Sequence, residues 1–106
     1  MESFERKHLA KINKHFKGLY HKMRHQTCNP KSYFYKKFKA LGINSDAWKY
    51  FDDFYNDMYE EYLQVAFDVV DCYRIELGRY DDEESFCKEN CYFYIVYLEN
   101  QQKEMF

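Results

Sequence analysis

From residue 4 onward the apolar positions Leu9, Ile12, Phe16, Leu19 and Met23 recur every three or four residues, the spacing of one face of an α-helix. On the same wheel Lys7, Lys11, Lys14, His21 and His25 fall opposite that stripe, so the pattern predicts an amphipathic first helix with a cationic outer face. Asn29-Pro30 ends it, because the proline ring drives the preceding residue out of helical geometry. A shorter helix is predicted from Ser32, with Phe34, Phe38 and Leu41 on one side and Gly42 as its stop. Ser45 reads as the N-cap of a long central helix. Its stripe is Trp48, Phe51, Tyr55, Met58, Tyr62, Val65 and Val69, with Asp53, Asp57, Glu60 and Glu61 turned outward. Residues 69–77 carry both a helical stripe and a β-branched, partly alternating character, and Gly78 is the firmest stop after them. Asp81 to Glu84 then set carboxylates where a helix N-terminus favours them, so residues 86–98 are predicted to form a last helix. The expected fold is mainly α, a small helical domain with a long central helix, with residues 1–106 as a single domain.

Charge sharpens this picture, because it is split along the chain. Residues 1–40 carry eleven Lys and Arg against Glu2 and Glu5, a net +9, while the remaining residues carry five against sixteen, a net −11. All four histidines lie in the basic part. A basic arm joined to an acidic body can meet a polyanion with one face and a basic partner with the other, and can associate with itself as a homodimer. The longest uninterrupted apolar run, residues 92–98, is far short of the roughly 20 residues that cross a bilayer, so no membrane partner is expected. Four cysteines are too sparse for a secreted disulfide scaffold, and the expected setting is a reducing cytoplasm.

Candidate chemistry is thin by comparison. His21, His25 and Cys28 share one helical side, and Cys87 and Cys91 repeat a four-residue spacing, so a zinc site drawing on Cys28, Cys87 and Cys91 is geometrically conceivable. Against it, the histidines sit among lysines that repel a cation, and the alternative is buried or idle thiols with no cofactor. There is no GxSxG, no phosphate loop and no Cys/His/acid set with catalytic spacing.

Read together, the turns and rings of residues 20–58 resemble the N-terminal half of a phage-type HNH homing endonuclease domain. The matching positions are Tyr20, Met23, Cys28, Asn29, Pro30, Ser32, Tyr33, Phe38, Gly42, Ile43, Trp48, Phe51, Phe54, Asp57 and Met58. Residues 73–102 are similar in a looser way. The resemblance implies a β-hairpin over about residues 69–93, an α+β alternative to the helical reading, and a phage or mobile-element setting. It also implies that Glu76 and Asn90 would serve at the metal of a nuclease. The family's general-base position falls on Tyr73, a neutral phenol at about pH 7, and Lys39-Ala40-Leu41 replaces its flexible Gly-Gly-Arg.

These readings support three functions. The first is a non-catalytic phage-type accessory protein, in the host cytoplasm, whose acidic face of Asp53, Asp57, Glu60 and Glu61 binds and inhibits or redirects a host protein such as a defence nuclease or DNA-binding factor. The second is a nucleic-acid-binding module using Lys7, Lys11, Lys14, Lys17, His21, Arg24 and His25, whose plainer counterpart is a basic face paired internally with the acids of the long helix. The third is a metal-dependent nicking endonuclease using Glu76 and Asn90.

Overall fold

The computed structural model describes residues 3–66 and 73–97, and the side chains of residues 6–66 and 74–97. The chain forms α1 (Ser3–Cys28), α2 (Tyr35–Leu41), a 3-10 turn (Asp46–Trp48), α3 (Phe51–Ala66), β1 (Tyr73–Arg79), a second 3-10 turn (Lys88–Asn90) and β2 (Cys91–Tyr97). The fold is mainly α with one small antiparallel hairpin.

The stripe predicted for α1 is the face that meets the core: Ile12, Phe16, Leu19 and Met23 are buried, joined by Tyr20. On α3 the buried residues are Phe54, Met58, Tyr62 and Ala66. Phe16 sits where the layers meet. Its ring stacks on Phe54 at 4.8 Å and packs against Tyr62 at 5.0 Å, with Phe93 of β2 at 6.3 Å. Trp48, 0 % exposed, packs edge-on against Phe54 at 5.0 Å and closes the core from the α3 entrance. Large rings at these distances and tilts bury apolar area and add edge-to-face attraction, which explains how so few aliphatic residues suffice.

The turns follow from local chemistry. Asn29 Oδ1 accepts the Lys31 amide at 2.9 Å, an Asx turn that redirects the chain at Pro30. Gly42 ends α2 in the left-handed region at φ 72, and the Ile43 amide reaches back to the Phe38 carbonyl at 2.8 Å. That closure needs a positive φ, which glycine adopts without strain, and it drops Ile43 into the core.

Two predicted elements are corrected. Ser45 does not cap α3: its hydroxyl is buried, and the 3-10 turn at Asp46 intervenes before α3 begins at Phe51. The last helix predicted over 86–98 is instead the strand Cys91–Tyr97, paired antiparallel with Tyr73–Arg79 in a register that sets Ile75 opposite Ile95 and Gly78 opposite Tyr92. The run from Tyr92 to Tyr97 is all aromatic and β-branched, and Cys91 and Phe93 alternate inward. The hairpin of the α+β alternative is therefore present, with its strands at 73–79 and 91–97. Gly78 has a packing reason, since a Cβ there would stand 2.9 Å from the Tyr92 ring that lies across the strand. Val69 of the predicted α3 stripe, Cys72 and Leu98 lie outside the described residues.

The hairpin loop is stitched to the helical layer. The Asn44 amide donates to Ser85 Oγ at 2.9 Å, and the Phe86 amide donates to the Asn44 carbonyl at 2.9 Å. No helix among the described residues is long and apolar enough to cross a membrane.

Candidate functional site

Helix α1 is 26 residues long, about 39 Å at 1.5 Å per residue, and its outer face bears the cations that the wheel predicted. Lys7, Lys11, Lys14, Lys17, His21 and His25 are all exposed. Gly18 lies among them, with open space where a Cβ would stand. Among the described residues no ion pair joins Lys7, Lys14 or Lys17 to Asp53, Asp57, Glu60 or Glu61, so these three lysines are not neutralised by the acids of α3. Lys17 leans inward enough for its ammonium to sit 5.7 Å over the Phe51 ring, and His21 packs edge-on against Tyr20 at 5.4 Å.

Arg24 is a different case. Its Nη1 donates to the Ser45 hydroxyl at 2.9 Å and to the Ser45 carbonyl at 3.2 Å, and Thr27 Oγ1 meets the same hydroxyl at 2.7 Å. Ser45 is 1 % exposed, so Arg24 and Thr27 satisfy a buried polar group and tie α1 to the α3 entrance. Arg24 is therefore structural, on the inward flank of the helix. The acidic set divides the same way: Asp53, Glu60 and Glu61 are exposed, but Asp57 Oδ2 accepts the indole N–H of Trp48 at 2.9 Å and belongs to the core boundary.

The residues implied for a nuclease are apart and occupied. Glu76, its side chain 13 % exposed, takes Lys22 Nζ on Oε1 at 3.1 Å and Arg74 Nε on Oε2 at 2.7 Å. Both oxygens already face cations of the chain, which is the wrong surround for a divalent metal. Glu76 pairs across the hairpin with Tyr94, whereas Asn90 lies beyond the Arg79–Cys91 pair, which is itself roughly 10 Å further along the strand. Asn90 is buried and holds the hairpin loop: its Nδ2 donates to the carbonyls of Asp81, Glu84 and Ser85, and its Oδ1 accepts the Asp81 amide at 2.9 Å. That amide set uses the whole side chain, so Asn90 shapes a loop. Tyr73 opens β1.

The three cysteines of the conceived zinc site have three different surroundings: Cys28 exposed at the end of α1, Cys87 half-buried in the hairpin loop and Cys91 buried in β2. Burial pushes the Cys91 thiol up to about 12, away from the thiolate a metal needs. Among the described residues no three His, Cys, Asp or Glu side chains converge on a metal-sized site. Burial likewise raises Tyr62 and Tyr20 above the usual phenol range, Tyr62 the more strongly.

The wheel of α1 alone missed the neighbouring cations. Lys31, Lys36, Lys37 and Lys39 are exposed around α2, directly after α1. The signal was in the sequence: between Glu5 and Asp46 there is no acidic residue. No protein-family model matches the chain, and neither curated proteins nor solved structures yield a match.

Proposed function

We propose that this protein is a non-catalytic nucleic-acid-binding module whose outer α1 face docks along a phosphate backbone. One observation carries the reading: Lys7 and Lys14 stand exposed with no carboxylate partner among the described residues, inside a span free of acidic residues from Arg6 to Ser45. Lys11, Lys17, His21 and His25 extend the same face, and each phosphate neutralised would release a counterion and steepen the salt dependence of binding by about 0.9 in log–log slope. The charges of Lys22 and Arg24 are committed inside the chain, to Glu76 and Ser45, so they are left out of the interface. The HNH-type resemblance fits this proposal as ancestry, with Tyr73 at the general-base position, Glu76 in an ion-pair cluster and Asn90 in a loop clamp.

The test is fluorescence anisotropy on a short labelled duplex across a salt series. Micromolar binding at low salt is expected, with Lys7→Glu/Lys14→Glu weakening it and lowering the salt slope by about 2. Absence of binding at low salt, or a slope indifferent to that double substitution, refutes the proposal.

A second reading rests on Asp53, Glu60 and Glu61, exposed on α3 and without an ion-pair partner among the described residues. It is capture of a basic host protein, in the phage-type accessory role. Retention of a partner from nuclease-treated host lysate, lost in Asp53→Lys/Glu60→Lys, favours it over the first.

A further inference from the structure

The turn that joins α1 to α2 carries the most exposed large ring of the described chain. Tyr33 is 90 % exposed, next to Phe34 at 38 %. An isolated surface ring needs no explanation. This one is not isolated, since it ends a row of rings that leads into the core. Tyr33 meets Phe34 edge-on at 5.2 Å, Phe34 stacks on the buried Phe38 at 5.8 Å, and Phe38 packs edge-on against Phe86 at 5.9 Å. The Arg79 guanidinium lies over both inner rings, 5.1 Å from Phe38 and 4.8 Å from Phe86. The backbone beneath is fixed by Asn29 and by Ser32, whose Oγ accepts the Phe34 amide at 3.3 Å. A backbone fixed in this way presents the ring without the cost of ordering the turn when something stacks on it.

The charged residues that flank Tyr33 in sequence are cationic, while the exposed acids of the loop 81–84 lie at the inner end of the ring chain, where Arg79 joins Phe38 and Phe86 to the Asp82 and Glu84 carbonyls. Lys31, Lys36 and Lys37 are exposed on either side of Tyr33, and Lys39 leans over the Tyr35 ring at 5.8 Å. No carboxylate interrupts this stretch of sequence. An occupant that stacks on Tyr33 and meets Lys31, Lys36 and Lys37 offers a flat π-face and several negative charges at short spacing. An unpaired nucleotide strand offers both, whereas a duplex keeps its base faces stacked and hidden.

We propose that the α1–α2 turn is a stacking platform for an unpaired nucleotide, with Tyr33 against the base and Lys31, Lys36 and Lys37 on the flanking phosphates. This deepens the nucleic-acid reading and rests on it: α1 supplies the non-specific backbone grip, and the platform supplies preference for single-stranded or frayed segments.

The experiment compares a labelled single strand of about 15 nucleotides with a hairpin duplex of the same length, by anisotropy at one low salt. It uses the wild-type chain, Tyr33→Ala, Tyr33→Trp and Lys7→Glu/Lys14→Glu. Tyr33→Ala is expected to weaken single-strand binding by about tenfold, the loss of one stack, while duplex binding changes less than about twofold. Tyr33→Trp is expected to keep the affinity and to give an indole whose emission is quenched by the strand but not by the duplex. Because position 33 touches little else, these variants fold as the parent does. Equal loss on strand and duplex, or unchanged strand binding in Tyr33→Ala, overturns the platform. Strand binding that persists through Lys7→Glu/Lys14→Glu, with no duplex binding by the wild type, overturns the α1 reading alone. No binding to either nucleic acid overturns both and leaves an acidic protein partner for this face.

Discussion

Replacing Asp57 by alanine separates the two roles that an outward-facing acid on α3 could have. Sequence periodicity groups Asp57 with Asp53, Glu60 and Glu61, and a solvated carboxylate of that kind changes stability by less than about 0.5 kcal/mol when removed. The structure gives it a partner instead: the Trp48 indole N–H at 2.9 Å, on a residue that is 0 % exposed. In Asp57→Ala that donor keeps its burial and loses its acceptor, a penalty of about 1–3 kcal/mol. For a domain of this size each kcal/mol lowers the melting temperature by roughly 4–8 °C. Asp57→Asn keeps an acceptor oxygen and is expected to recover about half or more of the loss. Urea unfolding followed by tryptophan emission is the direct assay, since Trp48 is the one tryptophan of the chain and reports the site itself. Glu60→Ala is the control. An Asp57→Ala midpoint indistinguishable from that control would refute the assignment of Asp57 to the core boundary.

Gly18→Ala is expected to raise stability by about 0.8–1.0 kcal/mol, because Gly18 lies mid-helix with no atom near its missing Cβ; thermal unfolding checks it. Ser45→Ala removes the buried hydroxyl on which Arg24 Nη1 and Thr27 Oγ1 converge, leaving Arg24 only the backbone carbonyl of residue 45, and is expected to lose about 1–2 kcal/mol by urea unfolding, against less than about 0.5 kcal/mol for Lys14→Ala. Stability should also fall in alkali. Burial lifts Cys91 from 9.0 to about 12, so the folded chain holds that proton more tightly than the unfolded one; the stabilisation is complete below pH 9.0 and is lost as the pH climbs toward 12. Tyr62, raised from 10.0, adds a loss of the same sign that begins later. A urea midpoint that stays level past pH 10.0 would contradict both.

The helical half was legible because its signal is periodic and local. Ile12, Phe16, Leu19 and Met23 are buried as their three-and-four spacing requires, and Gly42 stops α2 where a left-handed residue is needed. The hairpin was harder to read. Asp81 to Glu84 has the composition of a helix start, yet the Asp81 Oδ1–Glu83 N bond and the Asn90 clamp turn those same groups into a loop. The aromatic run from Tyr92 to Tyr97 fits a helix wheel and a half-buried strand equally well, and cross-strand partners decide between them. The cationic face of α1 was visible on the wheel, but Arg24 and Asp57 were not separable from their exposed neighbours. Their roles depend on Ser45 and Trp48, partners that no spacing rule names.

The pair of hydrogen bonds between Asn44 and residues 85 and 86 also bears on how the molecule is assembled in time. They join positions 41 and 42 residues apart, so a long loop closes when they form. Contacts of that span are expected to close late and to act as a latch, so Ser85→Ala should speed unfolding more than it slows folding in a stopped-flow urea series.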